Sequence, residues 1–383
     1  MKTVRFGIIG CGMMGREFAS VTARWCHLLE TEVRPEIVAI CGRRATSFDW
    51  FERNFPSIRQ TTLDYREMLT NPEVDAVYVA VPHHLHREIY CAVIQSGKHL
   101  MGEKPFGMDL EANQAISDCL RQHPRVFARC SSQLHFFPGA QRMATLLEKN
   151  AFGRIITART GFLHSSDLDP EKPINWKRIV AHNGEYGCMG DLGLHICLLP
   201  FRAGWVPLNV RAILSNIVKE RPDGKGGRAP CNTWDNATLL CETQAADGGD
   251  TFPWTLETHR ISPGERNTWY IEILGTKTSA RFSIREPKKF EILEYGGKDQ
   301  VWGCIQNGYE TPFPTITGLN FEFGFPDAFL QMWTAFIHEL LQAKPLRKFT
   351  GCATPEEAAM SHRLFTAALK SQQCGKVEAI PAQ

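Results

Sequence analysis

No stretch of this 383-residue chain approaches the roughly 18–20 consecutive apolar residues that a membrane-spanning helix requires. Charge of one sign is missing as well. The formal net charge is +2, a field too weak to recruit nucleic acid or an anionic membrane. No low-complexity tract, like-charge block or internal repeat is present. Cysteine is plentiful at 13, but the number is odd and no CxxC pair occurs. That spacing argues against a disulfide framework or a zinc cluster. Cys41, Cys91 and Cys197 lie inside apolar runs. They read as buried, reduced thiols of a cytoplasmic protein. The basic start and the apolar run behind it loosely mimic a signal peptide. That run is only about five residues long, short of the roughly 7–15 that such a segment needs.

What is present is the composition of an ordinary globular protein, with 43% hydrophobic and 22% charged residues. The length suits two domains. The first part alternates strand and helix signals. Strands are expected at 4–9, 37–41, 75–81, 99–102 and 126–130. Helices are expected at 13–27, 46–54, 85–96 and 110–121, with Asp109 as an N-cap for the last. This pattern predicts an α/β Rossmann domain over 1–130, built on a parallel sheet. The pattern then changes. A helix at 139–149 precedes strands at 155–162, 211–218, 237–243, 251–259, 269–274 and 279–284, with a hairpin turn at Gly275-Thr276-Lys277. Two helices follow, at 328–343 and 354–371. The second has Thr354, Pro355, Glu356 and Glu357 at its start. Residues 131–383 are therefore expected to form an α+β domain with an open, mostly antiparallel sheet, whose helix 354–371 packs back on the first domain. The Gly/Pro-rich segment 222–230 is the expected mobile loop.

Gly10-Cys11-Gly12-Met13-Met14-Gly15 is a G-x-G-x-x-G run directly after a strand and opening a helix. Gly10 allows a tight turn, Gly12 lets the backbone approach a pyrophosphate, and Gly15 lets helix and strand pack closely. The helix N-terminus offers free N–H groups to the phosphates. An acid usually ends the second strand and binds the ribose of NAD. Here the strand ends in Gly42-Arg43-Arg44. An arginine pairs with a 2′-phosphate that a carboxylate would repel. The expected cofactor is NAD(P), with NADP(H) favoured over NAD(H) and Arg43 or Arg44 on the phosphate; the alternative is two solvated arginines and bound NAD.

Two further clusters carry chemistry. Glu103-Lys104-Pro105 follows a buried strand, so Lys104 falls at the carboxyl edge where open α/β sheets bind ligands. A partly desolvated lysine there can polarise a carbonyl or alkoxide. Asp191 and His195 are spaced i and i+4, on one face of a helix. A histidine can take a hydroxyl proton as hydride leaves. Taken alone, that histidine could equally be satisfied inside an apolar helix.

The glycine motif, Glu103-Lys104-Pro105 and Asp191-x-x-x-His195, in this order and spacing, resemble the Gfo/Idh/MocA oxidoreductases. Pro82-His83-His84-Leu85-His86 and Gly275-Thr276-Lys277 look like further family segments. The resemblance implies a dehydrogenase or reductase acting on CH–OH, transferring hydride between nicotinamide and a sugar, polyol or glycoside. It implies that Lys104 contacts the reacting oxygen and the nicotinamide ribose, that His195 is the general acid/base, and that Asp191 binds or orients substrate. Pro82, His83, His86 and Glu103 would lie near the cofactor, with Met13 and Met14 at the phosphate turn. Trp176 and Lys177 would reach a sugar, though a buried core Trp is the rival reading, and Tyr186 would shape the pocket. The nicotinamide is expected in a cleft between the two domains, flanked by Lys104 and His195. The triplet His83, His84 and His86 reads as helix-start residues rather than a metal site. A homodimer or homotetramer is implied. Two other functions stay open: a nucleotide-retaining glycosidase that oxidises and eliminates, and a non-enzymatic NAD(P)-sensing regulator.

Overall fold

The structure, a computed structural model, describes residues 2–29, 32–246, 248–342, 346 and 349–381. Six short strands open the chain: β1 (Lys2–Ile9), β2 (Val33–Cys41), β3 (Gln60–Thr62), β4 (Ala76–Val79), β5 (His99–Gly102) and β6 (Ala128–Cys130). Between them run α1 (Met13–Ala23), α2 (Asp49–Asn54), α3 (Tyr65–Leu69), α4 (His86–Gln95) and α5 (Leu110–Gln122). The strands form one parallel sheet in the order β3-β2-β1-β4-β5-β6. Every residue of β4 is buried, as a strand covered on both faces must be. The Asp109 side chain caps α5, accepting from the Ala112 N–H at 2.8 Å. The expected helix at 13–27 ends at Ala23 and passes into a 3-10 turn, Trp25–His27.

A second group of elements follows: α6 (Pro138–Glu148), β7 (Ile155–Leu163), α7 (Val180–Asn183), α8 (Cys188–Arg202), β8 (Val206–Ser215), β9 (Glu220–Pro222), β10 (Arg228–Pro230), β11 (Asn236–Gln244), β12 (Thr251–His259), β13 (Thr268–Gly275), β14 (Thr278–Ser283), β15 (Lys289–Glu294) and β16 (Gly303–Gln306). The chain closes with α9 (Phe325–Gln342), α10 (Pro355–Cys374) and β17 (Glu378–Ala379). Nine of these strands form a sheet in the order β16-β15-β14-β13-β7-β12-β11-β8-β17. Its pairs are antiparallel except β7 with β12. Burial alternates along the strands, as the pleat requires: in β11, Leu239 and Cys241 are buried while Leu240 is exposed.

The chain divides into two compact units, Met1–Phe136 with Tyr309–Ala358, and Phe137–Gly308 with Ala359–Gln383. The division expected at 130/131 differs from this in residues 131–136 and 309–358, which cluster with the first unit. The physical reason is α9. Ten consecutive residues, Ala328 to Ile337, are buried, so this helix must be covered on all sides. Trp333 stacks on Phe18 at 3.8 Å and meets Phe6 and Tyr78 edge-on at 5.6 and 5.0 Å. The expected end of this helix at Ala343 lies outside the described residues. Most of the C-terminal helix, from Ala359 onward, belongs to the second unit. Segment 222–230, expected as a mobile loop, is a hairpin of β9 and β10. Asp223 closes its turn, accepting from the N–H groups of Lys225 and Gly227 at 2.7 and 3.0 Å. Among the described residues, no helix is long and apolar enough to cross a membrane.

Candidate active site

In the first unit, the turn after β1 is shaped for close backbone approach. Gly10 has φ of 112°, and a Cβ there would meet the Ala80 carbonyl oxygen at 2.2 Å. A Cβ on Gly15 would lie 2.3 Å from the Gly10 oxygen. Gly12 is different: nothing lies within 4 Å of its would-be Cβ. It precedes α1, whose start has no side-chain cap and no acid in its first turn. Two glycines are thus required by packing and the third leaves an open cradle at a helix N-terminus, which fits a dinucleotide pyrophosphate. Met13 is exposed. Gly10→Ala is expected to weaken nucleotide binding at least tenfold, read by fluorescence titration, because the strained φ and the clash with Ala80 both displace the turn.

A pocket beside this turn is lined by Cys11, Gly12, Arg16, Arg44, Thr46 and Ser47, with Met13 and Glu17 completing it. Arg43 and Arg44 are both exposed, and of the two Arg44 lines this pocket. The Ser47 hydroxyl donates to the Arg44 carbonyl at 2.6 Å. A Cβ at Gly42 would meet Ser47 Oγ at 2.7 Å, so an acid there would displace that serine. Burial pushes the Cys11 thiol up to about 11.

Glu103 and Lys104 leave the end of β5. Glu103 is buried, and its carboxylate accepts from the Tyr78 hydroxyl at 2.7 Å while its carbonyl accepts from Tyr90 at 2.8 Å. That ties it to the sheet and to α4. Lys104 is half-buried, and the peptide to Pro105 is cis. His86, expected near the cofactor, is fully buried. Its Nδ1 accepts from the Gly107 N–H at 3.3 Å and its Nε2 lies 3.2 Å from the Val81 carbonyl. It also stacks on Tyr90 at 4.6 Å. The ring thus joins the turn after β4 to the turn carrying Lys104. His83 is buried as well, and Pro82 half-buried. Among the described residues, no group of three or more His, Cys, Asp or Glu side chains could hold a metal ion.

In the second unit, α8 is buried along its whole length and carries Asp191 and His195 one turn apart. Gly193 lies between them, where a Cβ would touch the Phe365 ring at 2.1 Å. The His195 ring meets Phe162 edge-on at 5.5 Å, and its carbonyl accepts from Trp269 Nε1 at 2.9 Å. Asp191 is 2% exposed and pairs with Lys177, whose Nζ lies 3.2 and 3.1 Å from its two oxygens. The Asn175 side chain sets that lysine's turn by accepting from the Lys177 N–H at 2.9 Å. Trp176 is half-buried, with the Lys177 ammonium 5.6 Å from its ring centre.

Sequence reasoning missed what lies around Asp191. Arg260 pairs with it too, and a buried chain of charges continues behind. Arg260 lies 3.7 Å from Asp167, Arg178 bridges Asp167 at 3.0 Å and Asp235 at 2.6 Å, and Lys172 reaches Asp167 at 3.3 Å. Burial pushes the Arg260 guanidinium down to about 10, with Arg178 adding to the effect. Burial raises Asp167, but Arg178, Arg260 and Lys172 outweigh it and hold the carboxyl below its ordinary value. Tyr186, expected to shape the pocket, packs inward instead. Its hydroxyl bonds the Thr366 hydroxyl at 2.6 Å and the His362 carbonyl at 3.2 Å, both on α10. Trp254 and Trp269 are core residues, fully buried.

Residues 4–129 match the model of the GFO_IDH_MocA oxidoreductase family, NAD-binding Rossmann fold. The levoglucosan dehydrogenase of Pseudarthrobacter phenanthrenivorans is 25% identical over 318 residues, 76% of each chain. A dTDP-3,4-didehydro-2,6-dideoxy-alpha-D-glucose 3-reductase of Actinomadura kijaniata is 28% identical over 240 residues, 61% of this chain and 66% of that one. The solved levoglucosan dehydrogenase with NADH and L-sorbose covers all of both chains at a TM-score of 0.87 and 21% identity, and so shares the fold. Residues 4–129 match the NAD-binding Rossmann fold of the Gfo/Idh/MocA oxidoreductases, and over three quarters of its length the chain is similar to a dehydrogenase.

Proposed function

We propose that the protein transfers hydride between a nicotinamide cofactor and a secondary alcohol or ketone of a sugar, polyol or glycoside. The observation that carries this is the buried pair on α8: an Asp191 carboxylate held between cations, one turn before the His195 imidazole. The bound nicotinamide would supply or accept the hydride. The chain's part is to hold the substrate and move its proton. His195 takes the hydroxyl proton in oxidation and returns it in reduction. Lys104 stabilises the oxygen that gains negative character. Asp191 accepts a hydrogen bond from a substrate hydroxyl. Lys177 pairs with that carboxylate and lies 5.6 Å from the Trp176 ring centre, so an ammonium group and a ring are close together, a combination suited to a sugar ring and its hydroxyls. Levoglucosan dehydrogenase, among the relatives, is by its name a dehydrogenase of levoglucosan, which supports a carbohydrate substrate. Turnover of a panel of sugars, inositols and anhydrosugars, followed at the reduced-nicotinamide absorbance, tests the proposal. Nucleotide binding with no turnover across the panel would sink it.

For the cofactor we propose NADP(H), with Arg44 on the 2′-phosphate. Arg44 shares its pocket with Gly12, Arg16, Thr46 and Ser47, a set with two guanidiniums and two hydroxyls. The solved relatives with NADH describe those proteins. Arg44→Ala is expected to weaken NADPH binding by about 10–100-fold, the worth of a charged hydrogen-bonded contact. It should leave NADH binding within about twofold. Tighter binding of NADH than NADPH by the unmodified protein would end this part of the reading.

A further inference from the structure

Arg260 follows the last residue of β12, a place where a lone arginine usually reaches into solvent. Here its side chain is 8% exposed. Its backbone N–H is fixed by the Asp235 carbonyl at 3.0 Å and the Asn236 side chain at 3.2 Å. Its guanidinium turns inward to Asp191. Asp191 already has a cation in Lys177, which spans both of its oxygens. The two cations arrive from different elements, one from a 3-10 turn before α7 and one from the end of the central sheet. Behind them the signs alternate along Asp235, Arg178, Asp167 and Arg260 to Asp191.

A carboxylate this buried would bind a proton if left alone. Lys177 and Arg260 oppose that together, and two cations from different elements also fix its direction. With Lys177 and Arg260 both engaged, the Asp191 side chain has few rotamers open to it, and it lies on the helix face it shares with His195. We propose that Arg260 is a positioning residue, holding Asp191 ionised and aimed so that a substrate hydroxyl meets a ready acceptor beside the His195 imidazole. This rests on the reading of Asp191 and His195 as substrate-facing groups. Charged and titratable side chains near Asp191 include Lys177, Arg260 and, on its own helix, His195, with Asp167 and Arg178 behind. The Arg260 guanidinium is charged throughout the range in which a dehydrogenase works, since about 10 is well above it.

The test uses the full chain with Arg260→Gln, Arg260→Lys and Asp191→Asn. The first readout needs no activity: the ¹³C-labelled Asp191 carboxyl signal, identified by its loss in Asp191→Asn, is titrated without substrate. In Arg260→Gln its midpoint is expected to rise by about 1–3 pH units, the effect of removing an adjacent opposite charge. Arg260→Lys should hold it near the original value. The second readout is sugar turnover, where Arg260→Gln should lose up to about 100-fold in kcat/KM, with the acidic limb of its pH profile moved upward and Arg260→Lys recovering most of the rate. An unmoved Asp191 midpoint overturns the proposal whatever the activity. A moved midpoint with an unmodified chain inert toward sugars overturns the functional reading but leaves the hold on Asp191 standing. Full rates in Arg260→Gln overturn the positioning role. If Arg260→Gln does not fold, the double variant with Asp191→Asn is compared with Asp191→Asn alone. Equal kcat/KM supports the proposal, and a further tenfold loss overturns it.

Discussion

His195→Ala should lower kcat by about 10²–10⁴-fold, the usual contribution of a positioned acid/base, while the dissociation constant for the nucleotide stays within about twofold. His195 lies in the second unit, on α8, and the turn shaped to take a pyrophosphate is Gly10–Gly15 of the first. Lys104→Ala should behave similarly in kcat. Stopped-flow turnover and an independent nucleotide titration separate the two quantities. A variant with full rate at saturating sugar would remove His195 from the mechanism.

Arg178→Ala should cost the second unit about 3–5 kcal/mol, since it strips the shared cation from two buried carboxylates. Arg178 is 1% exposed, Asp167 3% and Asp235 1%. Asp235 also accepts from the N–H groups of Ile217 and Val218 at 2.7 and 3.0 Å, so the strand start and the segment behind β8 would loosen together. Thermal unfolding followed by tryptophan fluorescence reads this, because Trp254 and Trp269 are buried in the same unit. An unchanged transition would show that the pairs carry no net stability. The sign with pH is set by Asp167. Its folded carboxyl is held below its ordinary value of 3.8, so the stabilisation is full above that value and is lost as pH falls through the lower, folded one. Acid should therefore melt the second unit of the unmodified protein, and the Arg178→Ala chain should show a flatter dependence there.

The glycine turn and the Asp191–His195 pair were legible because both are local. Each depends on residues within five positions, where spacing translates directly into geometry. The strand at 99–102 and the one at 251–259 were read with their boundaries, since apolar runs and flanking turn residues mark them. The ion-paired chain was not legible. Arg178 and Asp235 lie 57 positions apart, and Arg260 after a strand looks like any solvated strand end. Nothing in the local pattern distinguishes a buried arginine from a surface one. Tyr186 misled for a related reason: an aromatic in a glycine-rich run suggests a pocket wall, and only its hydroxyl partners on α10 show that it packs inward. The return of 309–358 to the first unit did leave a trace. Ala328 to Ile337 is mostly apolar, but Gln331 and Thr334 fall on one side of it and read as a solvent face until the structure shows both buried. β3 and β16, at three and four residues, are too short to show a period at all.

The interlock of Gly193 with Phe365 limits how this scaffold can diversify. Any side chain larger than hydrogen at that helix position would push α8 off the C-terminal helix and carry the acid and the imidazole with it. Segments such as 164–179 lie outside that lock and can change without moving α8. Trimming the tail of the chain beyond residue 354 would take away the surface against which that helix is seated.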